Sequence, residues 1–138
     1  MSQETTLITE ALVPSEKMLE VITRHFGYQA TPLEMAVYAY MRHLCPDYDG
    51  GVWSYYDLSN GGFYMTPGAR EFYELVSPNG YKATMTAKEA GITACIFAFS
   101  TLAAKHQSEL FCEHYERLQE YVTYCGNKSA RKIFAAID

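Results

Sequence analysis

Basic residues are scarce in this 138-residue chain, where 11 Lys and Arg stand against 16 Asp and Glu for a formal charge of −5. That mild acidity disfavours nonspecific attachment to nucleic acid or anionic lipid, both of which reward clustered cations. Cysteines are few, and Cys45, Cys95, Cys112 and Cys125 have no paired spacing, so neither a disulfide framework nor a Cys-x-x-Cys zinc site is expected. Long apolar runs are missing too. The longest uncharged stretch, residues 90–104, has 15 residues, short of the ~20 needed to cross a bilayer, and it reads as a buried helix. The N-terminal residues lack the basic and apolar regions of a secretory signal. The expectation is a cytoplasmic protein with free thiols.

Catalytic and cofactor signatures are equally thin. His25, His43, His106 and His114 show no His-x-x-x-His relationship, and Cys112 and His114 lie about 200° apart around a predicted helix. His43 and Cys45 straddle a helix end without further ligands. There is no Gly-x-Ser-x-Gly elbow, and Cys95 falls among Ile and Phe, where a thiol acts as a small hydrophobe. Gly50-Gly51 and Gly61-Gly62 are not followed by a helix bearing Lys, so they read as a strand entry and a turn rather than a phosphate cradle. No metal, no cofactor and no catalytic residue is expected.

What is present is a globular composition, 49% apolar and 20% charged, long enough for one domain with a core of its own. Residues 1–13 read as a polar leader with some flexibility. A first helix runs from Pro14 or Ser15 to about His25 and stops at Gly27, with Met18, Leu19, Ile22 and Phe26 inward. Thr31-Pro32-Leu33-Glu34 offers a cap, a first-turn proline and an acid three residues on, opening a second helix that Pro46 ends. Two hairpins follow, one turning on Ser59-Asn60-Gly61 and one on Pro78-Asn79-Gly80, because Asn and Gly tolerate positive φ. Pro67-Gly68 separates them. Thr86-Ala87-Lys88-Glu89 is a capping box opening a helix to about His106, apolar nearly all round and therefore central. Ser108 starts another with Phe111, Tyr115, Leu118, Val122 and Cys125 on one face, and a short last helix carries Ala130, Ile133, Phe134 and Ile137. The fold class is α+β: a small antiparallel sheet of three to four strands packed with four to five helices.

Residues 45–67 hold the only Trp, the tyrosines Tyr48, Tyr55, Tyr56 and Tyr64, and every Asp but Asp138. Asp47, Asp49 and Asp57 could supply a carboxylate pair to a small hydrolase or nucleotide-handling enzyme, although such loops are usually solvated turns. The aromatic strands invite base stacking, yet no Lys or Arg stands between Arg42 and Arg70 to meet phosphates. Alternation places one aromatic set under the helices and the other on an exposed, acidic-rimmed face suited to protein contact. Asp47, Tyr48, Asp49, Trp53, Tyr55, Tyr56 and Asp57 are therefore the candidate interaction surface. A second candidate is Glu109, Glu113, Glu116 and Glu120, which fall within roughly 60° of one helical face over about 16 Å and could imitate a run of phosphates. The opposing apolar stripe makes an ordinary amphipathic helix the competing explanation.

Several blocks together resemble the ArdB/KlcA type of antirestriction protein. They are Pro32–Met35 into Tyr38–Met41, then Cys45-Pro46, Gly50-Gly51-x-Trp53 and Tyr56-Asp57-Leu58-Ser59-Asn60-Gly61-Gly62-Phe63-Tyr64-Met65, with Pro67 beyond. Asn79-Gly80-Tyr81, Ala87–Ala98 and the closing Ile133–Asp138 extend the likeness over residues 31–138. The resemblance implies an intracellular protein of mobile elements such as plasmids or genomic islands, which relieves restriction of unmodified DNA by type I restriction–modification systems. It implies no catalytic residues and only moderate charge. The expected partner is the type I complex or an associated host protein, met by a monomer.

Overall fold

The computed structural model describes residues 7–138, and the first six residues of the leader lie outside that range. Part of the remaining leader is built into the sheet: strand β1 (Glu10–Leu12) pairs antiparallel with β2 (Trp53–Leu58), which pairs with β3 (Phe63–Pro67). Ile8 and Val13 bury on either side of β1. A separate two-stranded sheet joins β4 (Phe72–Val76) to β5 (Lys82–Thr86). Both expected hairpins are thus present, and among the described residues five strands form two small antiparallel sheets instead of three or four forming one. Pro67-Gly68 ends the run: the Gly68 amide donates to Val52 O at 2.8 Å as a last bond alongside the β2–β3 ladder, and the chain next pairs only from Phe72, in the other sheet.

Among the described residues five helices complete the fold: α1 (Met18–Phe26), α2 (Ala30–Leu44), α3 (Ala87–His106), α4 (Glu109–Cys125) and α5 (Lys128–Ile137). A 3-10 turn over Gly27–Gln29 leads directly into α2. Hence α2 begins at Ala30, Thr31 caps nothing, and Pro32 sits inside the first turn, where no intrahelical partner is needed for a backbone N–H. In α1, Leu19 faces solvent instead of the core, and His25 is buried in its place.

α3 is the axis of the molecule. Its capping box forms as expected: Thr86 Oγ1 accepts from the Glu89 amide at 3.1 Å, and the Glu89 carboxylate accepts from the Thr86 amide at 2.9 Å. By length and composition this helix could cross a membrane, yet every residue from Glu89 to Ile96 is buried by the surrounding protein. It packs on α2, α4, α5 and β3. At Gly91 the helix meets β3 so closely that a Cβ would fall 2.2 Å from Met65 O. Only glycine fits there.

Candidate functional site

Period-2 alternation divides the β2–β3 hairpin into two faces. Trp53, Tyr55 and Asp57 share one face, opposite Pro67, Met65 and Phe63 across the ladder. The helices cover this face. Trp53 is 5% exposed and donates through Nε1 to Tyr48 Oη at 2.9 Å. Tyr55, 6% exposed, donates to Glu34 Oε2 at 2.7 Å, and Tyr38 donates to the same oxygen at 3.3 Å. Burial, with Glu34 beside them, pushes the Tyr38 phenol up to about 12 and Tyr55 higher still. Trp53 and Tyr55 therefore brace the hairpin against α2 and cannot act as exposed anchors. The candidate surface is corrected to that extent, because the inward phase of the strand begins at Trp53.

Asp57 is half-buried and engaged. Arg24 donates to its Oδ2 at 2.5 Å and His25 Nε2 to its Oδ1 at 2.7 Å. Burial raises its carboxyl, but the bonds from His25 and Arg24 outweigh that and hold it below the usual range. Burial in turn lowers His25, against the pull of Asp57. Behind His25, at 5.1 Å between ring centroids, lies His114 of α4, walled by Phe26 and Phe99. Its Nδ1 is buried without a hydrogen-bond partner among the described residues, and burial lowers its pKa to about 3. By sequence both histidines are weighed only as metal ligands, and neither is given a place in the core. The signal was available: His114 stands three residues after Phe111 and four before Leu118, on the apolar stripe of α4.

The exposed members of the candidate surface are Asp47 and Asp49, flanked by half-buried Tyr48 on the loop leading to β2. Arg70 approaches Asp49 at 3.8 Å, an exposed pair of small energetic weight.

The other face of the hairpin carries Tyr56 and Tyr64, opposite each other in register and stacked at 4.9 Å with an interplanar angle of 5°. Tyr121 of α4 continues the row at 6.1 Å. Tyr64 donates to Glu10 of β1, and Lys88 at the start of α3 donates to Glu10 at 3.1 Å and to Tyr121 at 2.9 Å. Burial lowers Lys88, but these bonds outweigh it and raise its pKa, so the ammonium stays charged. Glu10, Lys88 and Tyr121 were not among the sequence candidates. Nothing local links residues 10, 56, 64, 88 and 121; tertiary structure alone brings them together.

Glu109, Glu113, Glu116 and Glu120 are all exposed on α4, but two are engaged within the chain. Arg117 approaches Glu113 at 3.5 Å, and Asn60 of the hairpin turn donates to Glu120 at 2.7 Å. Among the described residues no group of three or more His, Cys, Asp or Glu is placed to hold a metal ion. Cys45 and Cys95 are buried thiols whose pKa burial pushes up to about 11 and about 12. They behave as hydrophobes, not nucleophiles.

Comparison with known proteins supplies the missing context. A protein-family model described as Antirestriction protein matches residues 46–138. Antirestriction protein KlcA of Escherichia coli is 35% identical over 137 residues, covering 95% of this chain and 95% of that protein. The uncharacterized protein YfjX of Escherichia coli K12 is 37% identical over 123 residues, covering 86% of this chain and 81% of YfjX. A solved structure aligns over 100% of both chains with a TM-score of 0.89 and 35% identity. It comes from work on the KlcA and ArdB proteins that describes a novel fold and antirestriction activity against Type I DNA restriction systems in vivo but not in vitro.

Proposed function

We propose that this chain, which belongs to the antirestriction protein family, relieves restriction of unmodified DNA by type I restriction–modification systems through contact with a protein and without catalysis of its own. The observation that carries this reading is the full-length structural match to proteins active in vivo but not in vitro. Activity that vanishes outside the cell is what a factor working through a further cellular component would give. The moderate charge of −5 supports a protein contact over strong imitation of DNA. So does the glutamate row on α4, where two of four carboxylates are already engaged within the fold. Asp57, the carboxylate best placed for acid–base work, is held ionised by Arg24 and His25, which suits a structural latch better than a proton donor.

The working surface includes the exposed Asp47 and Asp49 with the half-buried Tyr48 between them. Cells carrying an active type I system should plate unmodified phage more efficiently with this gene than without it, with non-restricting cells unaffected and modification unchanged. No rise, with soluble protein demonstrated, overturns the reading. The joint substitution Asp47→Asn and Asp49→Asn should reduce the relief while leaving the fold intact by circular dichroism, since both carboxylates are exposed and Tyr48 keeps its bond from Trp53 Nε1. Full relief by that variant removes the loop from the working surface.

A further inference from the structure

Among the described residues the two sheets end in the edge strands β1, β3, β4 and β5, and the fold treats these edges unequally. The edge of β3 lies against α3: the Met65 amide donates to Cys95 Sγ at 3.4 Å, and Pro67 has no N–H to offer. Helices also occupy β5. Lys132 of α5 donates to Thr84 O at 3.0 Å, and the Thr86 amide donates to Glu89 at 2.9 Å. β1 is only 3 residues long. β4 alone is both long and open. We propose that its outer edge accepts an extended segment of a protein partner as an added antiparallel strand, with a basic side chain opposite Glu74 and apolar ones opposite Phe72 and Val76. The inference rests on the reading of the chain as a protein-contacting antirestriction factor, and it names a surface and a mode for that contact.

The ladder itself shows which backbone groups are free. Ala87 donates to Glu71 O at 3.0 Å beyond one end of β4, and Ser77 donates to Tyr81 O at 2.8 Å beyond the other. Bonded positions in an antiparallel pair alternate. Tyr73 and Leu75 therefore exchange bonds with Met85 and Ala83, while Phe72, Glu74 and Val76 turn their N–H and C=O groups outward. Those six groups have no hydrogen-bond partner among the described residues, and all three residues are exposed. A row of donors and acceptors repeating every second residue is matched by another extended backbone, and by neither a nucleic-acid strand nor a compact small molecule.

The side chains choose among possible strands. Phe72 and Val76, 55% and 40% exposed, flank Glu74 on the outward face, so apolar partners at alternate positions would cover them. Glu74 faces Thr84 across the ladder and forms no ion pair among the described residues. A second copy of this chain is disfavoured. The antiparallel register that engages all three outward residues of both copies sets Glu74 directly against Glu74, and like charges so placed destabilise a pair. Any shifted register leaves at least one outward residue unpaired. A foreign segment with a base at its centre meets neither difficulty.

The test titrates the isotope-labelled full chain, with NMR detection, against the peptide acetyl-Thr-Val-Thr-Lys-Thr-Val-Thr-amide. Its valines and lysine then share a face with Phe72, Glu74 and Val76 and aim their N–H groups at β4, while its threonines aim theirs away. The peptide should shift the amides of Phe72, Glu74 and Val76 and slow their exchange with solvent. N-methylation of the central lysine should weaken binding at least about tenfold, through a lost bond and a methyl set against the edge. N-methylation of the threonine beside it should change little. Replacing the lysine with glutamate should weaken binding about threefold, and Glu74→Lys, an exposed change, should reverse that preference. Edge amides that stay still up to millimolar peptide overturn the proposal. So does equal loss from both N-methylations, or edge amides already protected in the free chain and released on dilution, which would assign the edge to a second copy. A wild-type chain that binds the peptide yet gives no relief in the plating assay refutes the antirestriction reading and leaves the edge standing; relief without peptide binding does the reverse.

Discussion

The β2–β3 and β4–β5 hairpins use the same local grammar and reach opposite degrees of burial. Each turns on an Asn-Gly pair, with Gly61 at φ +88° and Gly80 at φ +92°. Each clasps a helix through its asparagine. Asn60 donates to Arg117 O at 2.9 Å and accepts from the Gly62 amide at 2.9 Å. Asn79 donates to Ala135 O at 2.8 Å and accepts from the Tyr81 amide at 2.9 Å. Yet all five residues of β3 are buried, whereas β4 alternates between exposed and buried. The difference lies in coverage. β3 has α3 against one face and the tyrosine row with α4 against the other. Only the inward face of β4–β5, with Tyr73, Leu75 and Met85, is buried. Turn chemistry makes a hairpin; the layers around it decide whether one face or two are dry.

The sharpest way to break this contrast is at Gly91, which lets α3 approach β3 and has no counterpart beneath β4. Gly91→Val should cost at least about 3 kcal/mol, since the added atoms meet backbone that cannot yield. The midpoint of urea unfolding reports it, and a loss under about 1 kcal/mol would mean the helix can move aside. Next in size is a matched pair. Phe63→Ala on the doubly covered hairpin should cost about 3–5 kcal/mol, while Phe72→Ala on the exposed face of β4 should stay within about 0.5 kcal/mol. Equal losses would dissolve the distinction drawn here.

Acid should also act on the first hairpin more than on the second, because His25, Asp57 and His114 all lie against β2–β3. The folded His114 resists protonation down to about 3, whereas the unfolded chain takes the proton near the ordinary value of 6.5. Its contribution is therefore complete above pH 6.5 and shrinks as pH falls toward 3. Asp57, held below its ordinary 3.8, adds stability above that value that is lost as pH drops through its folded one. Unfolding free energies from pH 7 to pH 4 should fall in the wild type and fall less steeply in His114→Leu. Parallel slopes would place the acid sensitivity elsewhere. The narrowest contrast between the hairpins belongs to the clasps. Asn60→Ala should cost about 1–2 kcal/mol and Asn79→Ala about 0.5–1 kcal/mol, the latter amide being more exposed. Chemical denaturation of the two variants side by side would rank them, and the reverse order would make the second clasp the stronger.

Much of this was legible along the chain, and the failures have a common cause. The Thr86–Glu89 capping box, the Asn-Gly turns and the stop at Gly126 depend on neighbours within a few residues, and each stands where expected. The start of α2 did not follow its local grammar, because the turn over Gly27–Gln29 already has the chain winding when it reaches Thr31. The candidate surface included the buried Trp53 and Tyr55 for a related reason. Period-2 alternation separates Tyr55 from Tyr56, but it cannot say which of them meets a helix.

By itself, then, the sequence determined the five helices, both hairpins, the break between them and the resemblance that placed the chain in its family. These are short-range matters of capping, φ preference and periodicity, or of recognisable strings. Tertiary structure alone decided that β1 joins the sheet, that Trp53 and Tyr55 turn inward, and that His25 backs onto His114. It also set Lys88 beside Glu10, residues separated by 78 positions. Such pairings depend on which face each layer presents to the next, and that is settled only when the whole core closes around α3.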